Sequence, residues 1–309
     1  MRILVVGAGA VGGYFGGRLL EKGVDVTFLV REHRQKQLQQ HGLRIESVHG
    51  NINATPKTIQ TGDEASPFDV IILSTKQYHL EGALQSIEPY VQQDTMIWPL
   101  LNGFRHLEVL KQRFNEENII GGLCFIETTL DHNGTIIQTS PRHAALFGEL
   151  SGEKTERIEK LAEVLSGTKT NFILSEHIIR DTWHKYMFIT GLSGITTLMR
   201  SPIGPIREEK NGQKLILNLF KEIGSVMRAN GAQIDDDIEE KHLETVNQMT
   251  YEMKSSMQRD MEKGIQVEAD QLQGYIYEIG QEHGIETPFL EVIYSNLKVY
   301  ESQNKVKNL

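Results

Sequence analysis

Short apolar runs alternate with amphipathic stretches through the first half of the chain. "RILVVG" (Arg2 to Gly7), "DVTFLV" (Asp25 to Val30), "DVIILST" (Asp69 to Thr75) and "TMIWPL" (Thr95 to Leu100) read as strands. Their apolar residues are mostly consecutive rather than alternating, as in strands covered on both faces. Between them, "AVGGYFGGRLLEKG", which closes on Gly23, and "HLEGALQSIEPYV" carry helical periodicity. Strand–helix–strand order of this kind predicts a parallel sheet with crossover helices. "GTIIQT" and "AALFGEL" add further strands, which carries the first domain to about residue 172.

From "SEHIIRDTWHK" onward the strand signals stop and long helical periods take over. Asn211 to Ala229, Asp235 to Lys263 and Glu268 to His283 predict helices, separated by Gly231, Gly264 and Gly284. Asp235, Asp236 and Asp237 suit the positive end of a helix dipole, and Pro288 falls in a first turn, where proline is tolerated. The expected fold class is α/β: an N-terminal doubly wound parallel sheet of the Rossmann kind over 1–172, followed by an all-helical C-terminal domain over 173–309.

Composition narrows the function classes. A formal net charge of -9 argues against a nucleic-acid partner, which selects for a basic surface, so an anionic ligand must be held by local cations. Cys124 is the single cysteine, which forbids an intrachain disulfide, fits a reducing compartment and reads as a buried strand thiol within "GGLCFIETT". "MRILVVGAGAVGG" is too rich in glycine for a secretory leader, and no apolar run reaches transmembrane length. A soluble, cytoplasmic protein without a membrane partner is expected, and no metal is assigned.

The first strand runs directly into Gly7-Ala8-Gly9-Ala10-Val11-Gly12. This G-x-G-x-x-G spacing answers a physical need: one glycine for a tight turn, one for close approach of backbone to a pyrophosphate, one for close packing of helix on strand. The following helix N-terminus then faces the phosphates. After the second strand comes "FLVREHRQK", with Arg31 where an NAD site carries an acid, and His33, Arg34 and Lys36 behind it. A guanidinium suits a 2′-phosphate, so NADPH is the expected cofactor, with Glu32 the one residue that could turn to a ribose instead. Lys76 and Asn102 each follow the end of a later strand, the side of an open α/β sheet where ligands bind. Lys185 heads the apolar stretch "YMFITGL", where it reads either as a lysine snorkelling from a helix start or as a partly desolvated cation able to donate a proton at a site. His184, one position away and turned roughly 100° around the helix, reads as structural.

These pieces together resemble the ketopantoate reductases (2-dehydropantoate 2-reductases). "GAGAVGGYFGGRL", Arg31, "STKQY", "LLNG", "NGTIIQTSPRHAALFGEL", "DTWHKYMFITGLSG", "SSMQRDMEKGIQVEAD" and "HGIETPFLEVIYSNLK" occur in the family's order over almost the whole chain. The resemblance implies Lys185 as general acid and Glu268 as a residue beside the nicotinamide ribose that assists at the site. It further implies Ser256 as a holder of the substrate carboxylate, with Lys76, Asn102 and Thr128 as cofactor contacts.

The substrate side departs from the family. Members that act on ketopantoate typically carry asparagines four and eight residues after the lysine, on one helix face. Here those offsets hold Ile189 and Ser193; Ile203 and Met253 stand at two further polar positions. The expectation is an NADPH-dependent 2-oxo acid reductase in which Ser193 and Ser256 orient the acid and Ile189 favours a less polar substrate. Two alternatives stand beside it: ketopantoate reduction proper, in pantothenate synthesis, with a shifted substrate pose, and a non-catalytic NADP(H)-sensing protein. A 3-hydroxyacid-type dehydrogenase ranks last, because that class lacks the "SSMQRDMEKG" segment. An exposed helical domain is compatible with a homodimer.

Overall fold

The consecutive apolar positions of the first half build a five-stranded parallel sheet. In the computed structural model, which describes residues 1–307, the strands in chain order are β1 (Arg2–Val6), β2 (Asp25–Leu29), β3 (Leu43–Ser47), β4 (Ile52–Ala54), β5 (Lys57–Ile59), β6 (Val70–Leu73) and β7 (Met96–Pro99). The main sheet has the order β5-β2-β1-β6-β7, with every pairing parallel. β6 and β7 are buried at every position, as strands covered on both faces must be.

Five more strands follow: β8 (Ile120–Phe125), β9 (Thr128–Leu130), β10 (Ile136–Gln138), β11 (Ala144–Glu149) and β12 (Asn171–Leu174). They complete two smaller sheets, β4-β3-β10-β9 and β12-β11-β8. Cys124 lies buried in β8, where a thiol behaves as a small apolar side chain. The helices of this half are α1 (Ala10–Lys22), α2 (Glu32–His41), α3 (Leu80–Ile87), α4 (Arg105–Arg113) and α5 (Glu156–Leu165).

The helical half contains α6 (Ile178–Met199), α7 (Ile203–Glu208), α8 (Gly212–Ala229), α9 (Ile238–Gln248), α10 (Ser256–Glu262), a π-helical turn Asp270–Gly274, α11 (Tyr275–Glu282) and α12 (Pro288–Lys307). Its core gathers Tyr186, Met187, Phe220, Ile223, Met227, Ile276, Leu290 and Leu297. Glu222 of α8 accepts hydrogen bonds from the N–H groups of Phe289 (3.1 Å) and Leu290 (2.7 Å) and so caps α12 from a neighbouring helix.

The single helix expected over Asp235 to Lys263 is two helices. α9 stops at Gln248 with Met249 extended, and α10 restarts behind Ser255. The Ser255 hydroxyl accepts from Gln258 N–H at 3.1 Å, a serine cap with glutamine three residues on. The intervening carbonyls of Tyr251 and Met253 accept from Gly204 N–H and Ile203 N–H, both at 3.0 Å, which satisfies the first turn of α7.

The chain divides into two compact units: Met1–Leu101 with His106–Ile178, and Asn102–Arg105 with Ile179–Leu309. The segment Asn102–Arg105, two residues beyond β7, therefore packs with the helical unit. No helix among the described residues is long and apolar enough to cross a membrane.

Candidate active site

In the first unit the glycine turn joins β1 to α1. Gly7 has φ +90, a backbone conformation that L side chains rarely adopt, and Gly9 is the N-cap of α1 without any side-chain cap. A Cβ on Gly12 would lie 2.0 Å from Ser74 Oγ and 2.4 Å from the Gly7 carbonyl, so no other residue fits there. Nothing approaches the Cβ position of Gly9 within 4 Å. Closed packing under Gly12 and open space over Gly9 are what a backbone cradle for a pyrophosphate requires, and the turn fits a dinucleotide.

Strand order brings three predicted positions to the same end of the sheet. β2 and β6 both flank β1, so Arg31, the N-cap of α2, and Lys76, which begins the turn Gln77–His79, lie past the carboxyl ends on either side of the glycine turn. The basic cluster behind Arg31 divides its work. Arg34 Nε donates to the Ala8 carbonyl at 3.0 Å and its Nη1 to the Gly134 carbonyl at 2.9 Å, bracing the glycine turn. Lys36 pairs with Glu32 one turn back. Thr128 opens β9, opposite Gln138 in the second sheet, and so does not share the edge that carries Arg31 and Lys76.

In the second unit Lys185 lies in the third turn of α6 and is only 8% exposed. Its Nζ donates to Asn102 Oδ1 at 3.0 Å. The segment bearing Asn102 is locked on either side: Phe104 stacks on Trp183 with centroids 3.9 Å apart, and Gly103, at φ +85, would place a Cβ 3.0 Å from the Gln271 carbonyl. Tyr186 Oη donates to the carbonyls of Gln271 (3.1 Å) and Leu272 (2.7 Å), two positions inside the π turn. That turn begins two residues after Glu268, which is half-buried. Single π turns of this kind are frequent at functional sites.

Along α6, Ile189 is half-buried and Ser193 buried. Gln273 Nε2 donates to both Ser193 Oγ (2.8 Å) and the Thr190 carbonyl (2.9 Å). Ser256 is exposed at the first turn of α10, whereas its neighbour Ser255 is buried, caps the helix and shares a 2.9 Å hydrogen bond with Thr196. His184 is structural: its Nε2 accepts from Asp235 N–H at 3.0 Å, and its carbonyl accepts from His242 Nε2 at 2.8 Å. Arg34, Tyr186 and Gln273 are positioning residues that sequence reasoning missed. A basic residue three positions past Arg31 was visible; nothing in the sequence announces a π turn.

A dinucleotide turn on a parallel sheet, followed by a helical unit carrying a buried lysine, defines a two-unit oxidoreductase plan. The chain matches the family described as "Ketopantoate reductase PanE/ApbA" over residues 3–152 and "Ketopantoate reductase PanE/ApbA C terminal" over residues 177–301. It therefore belongs to the ketopantoate reductase family of oxidoreductases. It is 46% identical over 303 residues to the "Uncharacterized oxidoreductase YkpB" of Bacillus subtilis (strain 168), covering 98% of this chain and 100% of that protein. The structure of 2-dehydropantoate 2-reductase from Geobacter metallireducens GS-15 superposes with a TM-score of 0.88 at 27% identity, covering 96% of this chain and 99% of the other. A D-mandelate dehydrogenase solved with NADH and anilino(oxo)acetate shares the fold at a TM-score of 0.88 and 22% identity, over 99% of this chain and 100% of that one.

Proposed function

We propose that the protein is an NADPH-dependent reductase of a 2-oxo acid, with residues 1–172 forming the cofactor half and 173–309 the catalytic half. The observation that carries this reading is the buried Lys185 held against Asn102 at 3.0 Å, in a chain that belongs to a reductase family. NADPH, when bound, supplies a hydride. The backbone of Gly7 to Gly12 would hold its pyrophosphate, with Arg31, Lys76, Asn102 and Thr128 as further contacts. Since a protein of the same fold was solved with NADH, the choice of nicotinamide cofactor rests on this chain's own residues. Arg31, where an acid would repel a 2′-phosphate, supports NADPH.

Lys185 donates a proton to the carbonyl oxygen as negative charge develops there. Asn102 fixes the direction of its ammonium, and Glu268, beside the nicotinamide ribose, assists at the site. Ser256 receives the carboxylate and Ser193 lines the same helix face as Lys185, with Ile189 between them. That face lacks amides at both offsets, which favours an apolar substituent on the acid over the hydroxylated chain of ketopantoate.

The test is a steady-state screen of NADPH oxidation over a panel of 2-oxo acids, ketopantoate included. At least one acid is turned over above background, and Lys185→Ala lowers kcat on it by roughly 10²–10⁴-fold. Wild-type turnover in the lysine variant would end the assignment of the proton donor; no turnover of any acid would favour a sensing protein.

A further inference from the structure

Beyond Arg31, the edge of the parallel sheet carries a second nitrogen donor at the same place. Arg31 Nη2 lies 3.4 Å from His79 Nδ1, across 48 positions of chain. Arg31 follows β2 and His79 closes the turn after β6, so the pair straddles the two strands on either side of β1 and its glycine turn. A guanidinium has only donor N–H groups, so in this contact Nδ1 accepts and the ring proton sits on Nε2. Both partners thus present donors: the remaining N–H groups of Arg31 and Nε2–H of His79. Tyr78 meets the imidazole edge-on with centroids 4.6 Å apart.

The surroundings favour an anion here. Arg31 is the N-cap of the ten-residue helix α2, whose first N–H groups receive no side-chain cap from it. Glu32, the nearest acid in sequence, is neutralised by Lys36 on its own helix. Arg34 spends its Nε and Nη1 on the Ala8 and Gly134 carbonyls. Partial desolvation, and after it the adjacent guanidinium, hold the exposed His79 imidazole below its ordinary pKa. A phosphate carries three strong acceptor oxygens and can take hydrogen bonds from both side chains at once.

We infer that His79 is the second arm of a clamp for the 2′-phosphate of NADPH and, with Arg31, sets the preference for NADPH over NADH. The inference rests on the NADPH reading above and adds to it a specificity residue on a different strand. NADH lacks the phosphate, so a residue of this kind affects one cofactor and spares the other.

The experiment is a fluorescence titration of NADPH and of NADH, without any substrate, into the wild type, His79→Ala, His79→Gln and Arg31→Ala. His79→Ala weakens NADPH roughly tenfold and leaves NADH within about twofold. His79→Gln, which keeps a donor, recovers most of the loss. Equal weakening of both cofactors, or an NADPH Kd unchanged in His79→Ala, overturns the role of His79. A wild type that binds the two cofactors equally overturns the NADPH reading itself, and the clamp with it. Circular dichroism of each variant separates loss of binding from loss of fold.

Discussion

Lys185 Nζ and Asn102 Oδ1 meet at 3.0 Å although 83 positions separate them in the chain. A lysine with 8% exposure needs acceptors in place of water, and an amide oxygen directs the ammonium without neutralising it. A carboxylate there would stabilise the charged form and make Lys185 a poorer acid. Asn102 therefore serves as an aiming device. Asn102→Ala should lower kcat about 10–100-fold, the range expected for one hydrogen bond to a charged group, with NADPH affinity less affected. Stopped-flow measurement of the chemical step checks this. Asn102→Asp should retain the geometry and still slow the step, with its pH profile moved to higher pH.

Ser255 and Ser256 are neighbours with opposite environments, one buried under Thr196 and capping α10, the other exposed. Ser255→Ala should lower stability by about 1 kcal/mol, as for a lost N-cap, without changing the substrate KM. Ser256→Ala should raise the substrate KM and leave the melting temperature alone. Thermal unfolding and steady-state kinetics on the two variants read both effects.

Two histidines make the fold sensitive to acid. Burial pushes His143 to about 4; His49 stacks on it, and its Nδ1 shares a 2.6 Å hydrogen bond with Tyr14 Oη. Burial likewise pushes His242 to about 4. Both are neutral in the fold, against an unfolded value of roughly 6.5. Above that value neither state binds the proton and the contribution does not vary with pH. Between about 6.5 and 4 only the unfolded chain is protonated, so stability falls with falling pH, by roughly 2 kcal/mol per histidine at pH 5. Urea unfolding across this range should show that loss, and His143→Gln should flatten the slope below pH 6.5.

The parallel sheet, the glycine turn and the buried lysine were legible because each follows from a local pattern: consecutive apolar residues, fixed glycine spacing, a lone charge before an apolar run. What was illegible depends on contacts between distant segments. Asn102 reads as the end of a strand, yet the four residues from Asn102 to Arg105 pack with the helical unit through Phe104 on Trp183. The π turn that holds Gln273 against Ser193 has no sequence signature. The break between α9 and α10 is an intermediate case. Its Ser255-x-x-Gln258 cap stands in the sequence, but continuous apolar spacing on either side masks it.

Gly12 gives a sharper test of the cofactor turn than Gly9. A Cβ at Gly12 would meet the Gly7 carbonyl at 2.4 Å as well as the Ser74 hydroxyl, so removing the serine side chain cannot make room. Gly12→Ala should destabilise the fold by about 1–3 kcal/mol and weaken NADPH binding, and adding Ser74→Ala should restore little of either. Gly9→Ala meets no protein atom within 4 Å, so it should leave the melting temperature unchanged while weakening NADPH. Differential scanning calorimetry with and without NADPH distinguishes the two.

Ile189 carries the proposed substrate preference. It lies four residues after Lys185 on one face of α6, half-buried, with a side chain that can neither donate nor accept. Ketopantoate and trimethylpyruvate differ only by a hydroxyl, so the ratio of their kcat/KM values isolates recognition of that group. An apolar wall rejects an added hydroxyl only modestly, by up to about 10²-fold, because the hydroxyl can keep partial hydration. The wild type should therefore prefer trimethylpyruvate by about 10–100-fold, and Ile189→Asn should move the ratio at least tenfold toward ketopantoate. Most of the change should appear in KM, since the side chain touches a part of the acid remote from the reacting carbon. Equal wild-type efficiency on the two acids would show that the hydroxyl finds partners elsewhere, and Ile189 would then be a packing residue.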